Sequence, residues 1–119
     1  MDFEKTSAGN VRISHDVIAS VAKYATLEID GAESVALAGV KGIVSKGKYM
    51  RPIKVEIIDG VVAVEIHVIV RNGVKIPEIA SAIQQNVKNA IQSMTGLAVS
   101  RVDIVVAGIA LVSEDSKSE

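Results

Sequence analysis

At 119 residues the chain has room for one domain, which at this size buries about two-thirds of the surface its unfolded form exposes. Val, Ile, Ala and Leu carry most of the 49% hydrophobic content, aromatics make up 3% and Trp is absent, which excludes the stacking platforms of single-stranded nucleic-acid binders. With 13 basic and 14 acidic side chains the net charge is −1 and there is no Cys, which excludes a global field for phosphate polymers or anionic lipid, disulfides, thiol nucleophiles and thiolate metal sites.

Residues 1–10 are polar and lack the basic and apolar regions of a secretory leader, and no uninterrupted apolar run approaches the roughly 20 residues of a spanning helix, residues 61–70 being broken by Glu65 and His67, so no spanning helix is expected. Residues 10–14 read as a short extended piece. Ser14 then suits an N-cap, and Asp16 suits the positive first turn of a helix over residues 15–28. Val17, Ile18, Val21, Ala22, Ala25 and Ile29 recur at the spacing of one buried face, with Ser20, Lys23 and Thr26 opposite and Gly31 as the stop. Residues 32–38 can form a strand. Residues 39–51 are rich in Gly and Lys without a steady period, which reads as a mobile loop.

Two β-branched runs, residues 53–58 and 61–71, are separated by Asp59-Gly60, the strongest short hairpin signal available. A two-residue turn sets Ile58 opposite Val61, Ile57 opposite Val62, Val55 opposite Val64 and Ile53 opposite Ile66, with Lys54 facing Glu65 on the other side of the ribbon. Asn72-Gly73 turn the chain into a second helix with Pro77 at its first position and Glu78 in its first turn. Its buried stripe is Ile79, Ala80, Ile83, Val87, Ala90, Ile91 and Met94, and Gly96 ends it. A last strand over residues 99–107 alternates Val102, Ile104 and Val106 against Arg101 and Asp103.

These elements predict a two-layer α+β domain in the order β-α-β-β-β-α-β, a mostly antiparallel sheet with both amphipathic helices on one face. The domain spans residues 9–112, preceded by a flexible N-terminus at residues 1–8 and followed by a disordered polar tail at residues 113–119. The uncovered sheet face then carries Ile58, Val61, Ala63 and Ile69 among Lys54, Glu56, Glu65 and His67, with Val105 of the last strand joining them. Ile58, Val61, Ile69 and Val105 are therefore a candidate protein interface, set against the plain reading of scattered apolar residues on a wet face.

Gly42-Ile43-Val44-Ser45-Lys46-Gly47-Lys48 matches seven positions of a phosphate-binding P-loop, but Tyr49 stands where the Mg²⁺-binding hydroxyl belongs, and Pro52 and a strand follow instead of a helix. Gly39-Val40-Lys41-Gly42 has the form of a KH-domain GXXG loop but leaves a strand rather than joining two helices. What remains is a local cationic patch of Lys41, Lys46, Lys48 and Arg51 around Tyr49, either a solvated basic loop or an anion contact for phosphate or lipid headgroups. His15 and His67 share no ligand spacing, and no pair of acids stands apart from basic neighbours. No catalytic residue, cofactor or metal site is expected.

Gly9-Asn10-Val11-Arg12-Ile13-Ser14-His15-Asp16-Val17-Ile18-Ala19 resembles the opening pattern of the alkaline shock protein 23 family. Gly73-Val74-Lys75-Ile76-Pro77-Glu78-Ile79-Ala80, then Gln85-Asn86-Val87-Lys88, Met94-Thr95-Gly96-Leu97 and Val102-Asp103-Ile104-Val105-Val106-Ala107-Gly108-Ile109 follow that family's order to about Leu111. Ser34, Asp103 and Arg71-Asn72 depart from it, the last beside a loop that a partner could use. The resemblance implies a cytoplasmic, non-enzymatic protein of general and envelope stress, without membrane insertion of its own. It also implies a scaffold whose partner is itself, a membrane-embedded anchoring protein, or both, and which is held near the membrane through that partner. The alternative is an anion-binding module using residues 39–51; nucleic acid is not an expected partner.

Overall fold

In the computed structural model, which describes residues 11–35 and 52–111, the first helix, α1 (His15–Leu27), starts as the cap chemistry requires. The Ser14 Oγ accepts the Val17 N–H at 3.2 Å, and Asp16 lies in the first turn, where a negative charge complements the helix dipole. Ile18, Ala22 and Ala25 are buried along one face. The helix ends before the expected stop, with Glu28 as C-cap. Gly31, at a φ of 108°, instead serves the turn into β1 (Ala32–Val35), and its carbonyl accepts the Arg71 N–H at 2.8 Å.

The hairpin of β2 (Ile53–Ile58) and β3 (Val61–Arg71) has the derived register, with Ile58 opposite Val61, Lys54 opposite Glu65 and Ile53 opposite Ile66. Asp59 and Gly60 both have positive φ, 53° and 77°, as a turn matching the twist of the two strands demands. α2 (Ile76–Thr95) follows, with Pro in its first positions and Gly96 as C-cap. It returns the chain to β4 (Ala98–Ala110), which runs parallel to β3 along β3's whole length, the geometry a helical crossover permits.

β3 is the middle of the sheet. β1 and β2 pair antiparallel with its two halves along one edge, and β4 takes the other edge. The alternation of β3 aims Val62, Val64, Ile66, Val68 and Val70 at the helices, all essentially inaccessible. Ile18, Ala22 and Ala25 of α1 and Ile83, Val87 and Ile91 of α2 close over them with Ile53, Val99 and Val102. α1 packs over β1 and β2, α2 over β4, and the helices touch each other. The Asn86 Nδ2 joins them by donating to the Ala25 carbonyl at 2.8 Å and the Glu28 Oε1 at 2.9 Å.

Four expectations are corrected. Residues 11–14 form no strand, with Ser14 committed to the helix cap; Asn10 lies outside the described residues. The described order is therefore α-β-β-β-α-β, with two antiparallel pairings and one parallel. Thr26, expected outside, is fully buried, its hydroxyl satisfied by donating to the Ala22 carbonyl at 2.8 Å. Val17 and Met94, expected inside, are 48% and 71% exposed, because each lies at the flank of its helix, beyond the seam that the other layer covers. Ile79 is half-buried. Residues 1–8, 36–38, 39–51 and 113–119, on which other expectations fall, lie outside the described residues.

Candidate functional site

The strand registers place every side chain of the uncovered face in rows across the sheet. Because paired residues on neighbouring strands point to the same side, Glu56, Ala63 and Arg101 form one row, Lys54, Glu65 and Asp103 the next, and His67 with Val105 a third. Ile58 and Val61 make an apolar row at the hairpin end. Ser34, Ile69 and Gly108 align at the opposite end.

All four nominated interface residues lie on this face, but they are not one patch. Ile58 is 63% exposed and Val61 36%, and they oppose each other beside the turn. Val105, 38% exposed, belongs with half-buried Ile69 beyond the charged rows. Ile69 lies across Gly108 so closely that a Cβ there would stand 3.0 Å from its Cδ1. The glycine thus leaves room for the Ile69 side chain over β4. Ala107 is exposed alongside them.

The charged belt between the patches is internally ordered. The His67 Nε2 lies 2.8 Å from the Glu65 Oε2, and since an ionised carboxylate only accepts, the imidazole donates. That hydrogen bond holds the Glu65 carboxyl below its ordinary value against the opposing effect of burial, helped by the charges of Lys54, His67 and Arg101. The Arg101 Nε donates to the Asp103 Oδ2 at 3.0 Å. At the rim Arg71 reaches Asp30 at 3.1 Å. His67 also sits opposite Pro52, whose carbonyl accepts its backbone N–H at 2.9 Å. No group of three or more His, Cys, Asp and Glu side chains among the described residues is arranged to hold a metal ion.

The basic patch of Lys41, Lys46, Lys48 and Arg51 lies outside the described residues, as does the P-loop-like run. One surface escaped the reading of the sequence. Val17, Val21, Tyr24 and Ala25 of α1 and Ala90 and Met94 of α2 line an apolar groove of about 580 Å³ on the far side of the helices. In the sequence all of these but Tyr24 belong to the two stripes expected inside, so nothing there set the groove apart. Among the described residues no helix is long and apolar enough to cross a membrane.

Comparison with known proteins supplies the lineage. The model of the alkaline shock protein 23 family, described as having a cell envelope-related function, matches residues 3–111. The chain is similar to the uncharacterised protein YqhY of Bacillus subtilis (strain 168), 31% identical with 92% of this chain and 83% of the relative covered. It is also similar to the uncharacterised protein YloU of the same organism, 32% identical with 88% and 92% covered. Among solved structures a triple variant of the MamM CTD aligns with a TM-score of 0.49 at 9% identity, over 78% of this chain and 93% of that one. With its ordered segments and nearly its whole length matched, the chain belongs to the alkaline shock protein 23 family, whose function is related to the cell envelope.

Proposed function

We propose that the chain is a non-enzymatic structural component of the envelope stress response, acting in the cytoplasm by protein contact through the uncovered face of its sheet. The observation that carries this reading is the asymmetry of the layers. Both helices load one face, while the other presents Ile58, Val61, Ile69 and Val105 around an ordered belt of opposite charges. Aliphatic patches supply the contact energy, and a fixed charge pattern sets register and rejects mismatched partners. Within the belt His67 bonds to Glu65 and Arg101 to Asp103, each pair along one strand, which holds the charge pattern of the surface in place. A membrane-embedded protein docking here would hold the chain at the envelope, and a second copy docking here would assemble it.

The test is recovery of the full chain with the envelope fraction of cross-linked cells, and its self-association in solution, for the wild type and for Ile69→Lys and Val105→Lys. Both substitutions put a cation on the aliphatic patch and leave the core untouched, so the fold, followed by circular dichroism, persists while the contacts weaken. A wild-type protein that is monomeric at high concentration and joined to no envelope component would overturn the proposal.

A further inference from the structure

α1 carries two apolar stripes. Ile18, Ala22 and Ala25 enter the core, while Val17, Val21 and Tyr24 recur along its flank and stand along the groove between the helices. The three most exposed large apolar side chains of the two helices, Met94 at 71%, Tyr24 at 66% and Val17 at 48%, all line this groove. The helices run antiparallel there. Asn86 donates to Ala25 and Glu28 at the end of α1, and α2 then returns so that Ala90 and Met94 face earlier residues of α1. Buried Ala25 and half-buried Ala90, the smallest apolar residues of the lining, leave room between the walls.

Three properties select what can cover it. Both walls are helices, whose backbone groups bond within themselves, so an extended chain laid here would bury its own N–H and C=O groups against aliphatic side chains without partners. A helix satisfies its own. The lining residues Asp16 and Glu28 lie about 18 Å apart along α1, the length of a helix of about 12 residues. The polar lining is Asp16, Ser20 and Glu28 with no base, and Glu28 is the C-cap of a helix whose last turn has no basic residue. Its carboxylate and the negative end of the helix dipole therefore add, which repels a fatty acid or anionic phospholipid and attracts a cation. We infer that the groove receives an amphipathic helix of another protein, seated between α1 and α2 as a third helix. Its aliphatic side chains recur at i, i+4 and i+7, and a Lys or Arg lies beside Glu28. Tyr24 and Met94 are the contact anchors, a rigid ring and an adaptable thioether. The groove and the uncovered sheet face lie on opposite sides of the domain, so this site stands whether or not that face makes a contact, and both can be filled at once.

The full chain is titrated with a synthetic helical peptide of about 14 residues that carries leucines at this spacing and lysines at both ends, so that either direction of the helix sets one lysine beside Glu28. A counterpart carries glutamates in their place. Fluorescence anisotropy of the labelled peptides gives the affinities, and NMR shift changes map the site. The lysine peptide binds saturably and more tightly than the glutamate peptide, with shifts gathered at Val17, Val21, Tyr24 and the Met94 methyl. Tyr24→Ala and Met94→Gln, both on exposed side chains, each weaken it about tenfold while circular dichroism shows the fold intact. Glu28→Lys removes the preference between the two peptides, and Ile69→Lys, on the opposite side of the domain, changes nothing. No saturable binding at millimolar peptide, or shifts on the sheet face instead, overturns the groove as a helix site. A glutamate peptide bound as tightly as the lysine peptide, or a preference that survives Glu28→Lys, overturns the cationic partner.

Discussion

Gly31→Ala probes the joint where α1, the sheet and α2 meet. Gly31 is buried at a φ of 108°, and a Cβ built there stands 2.8 Å from the Ile79 Cδ1 and 3.2 Å from the Val74 Cγ1. A side chain at positive φ costs about 1–2 kcal/mol. Forcing a methyl into that contact adds about 1–2 kcal/mol, toward the lower end for overpacking because the Ile79 Cδ1 is the free end of a half-buried side chain. The total of about 2–4 kcal/mol is a large part of the stability of a domain this size, and at about 4 °C per kcal/mol it lowers Tm by about 8–16 °C. Gly60→Ala isolates the backbone component, since Gly60 has a φ of 77° with nothing within 4 Å of its Cβ position. Urea unfolding followed by circular dichroism measures both. In Gly31→Ala/Ile79→Val the clashing methyl is gone, so the double variant should be about 1 kcal/mol more stable than the two single effects added together. If Gly31→Ala were no costlier than Gly60→Ala, and additive with Ile79→Val, the close packing of α2 over this turn would be refuted.

Three further outcomes follow from the same geometry. Ile91→Ala empties a fully buried site and should cost about 2–5 kcal/mol in urea unfolding, whereas Met94→Gln, on a 71% exposed residue one turn on, should stay within about 0.5 kcal/mol. Asn86→Ala removes both bonds that join the helices, about 1–2 kcal/mol, and hydrogen exchange should quicken first at the Glu28 and Ile29 amides at the end of α1. For Glu65 the folded carboxyl is held below its ordinary value chiefly by His67. The stability it contributes is therefore complete above the ordinary glutamate value and is lost as pH falls through the lower folded one. In His67→Ala a carbon-detected NMR titration should show that carboxyl titrating at higher pH.

The hairpin register was legible in the sequence because two independent signals coincide there. Asp59-Gly60 sets the turn, and the alternation of β3 admits only one phase without turning Val62, Val64 and Ile66 outward. The stripe of α2 was legible for the same reason, since Ile83, Val87 and Ile91 repeat every turn. Periodicity describes an element by itself, however, and is silent on what lies beside it. It could not say that β4 runs parallel to β3, which is decided by chain return over α2. It could not say that Met94 and Val17 fall beyond the seam, or that Thr26 is covered and bonds to its own helix. The same limit governed the candidate site. All four aliphatic residues were placed on the right face, yet their division by the belt of Glu65, Asp103, Arg101 and Lys54 depends on where β4 stands, a long-range pairing that no local pattern encodes.

The end-to-end placement of β1 and β2 along one edge of β3 has a consequence for how this chain can vary. Val35 opposes Val68 and Ile53 opposes Ile66, and the position between them is met by Pro52, whose carbonyl accepts the His67 N–H. Val35, Pro52 and Ile53 therefore continue one ladder as if they were consecutive, although residues 36–51 separate Val35 from Pro52 in the sequence. Anything inserted there begins and ends at almost the same point in space, so a doubling of its length adds only about 0.6 kcal/mol of closure entropy. Lys41, Lys46, Lys48 and Arg51 all belong to this cassette. The ladder on β3 thus sets no length for the chain that joins Val35 to Pro52, which makes that join a place where members of such a lineage can differ in length and charge while β1 and β2 keep their register.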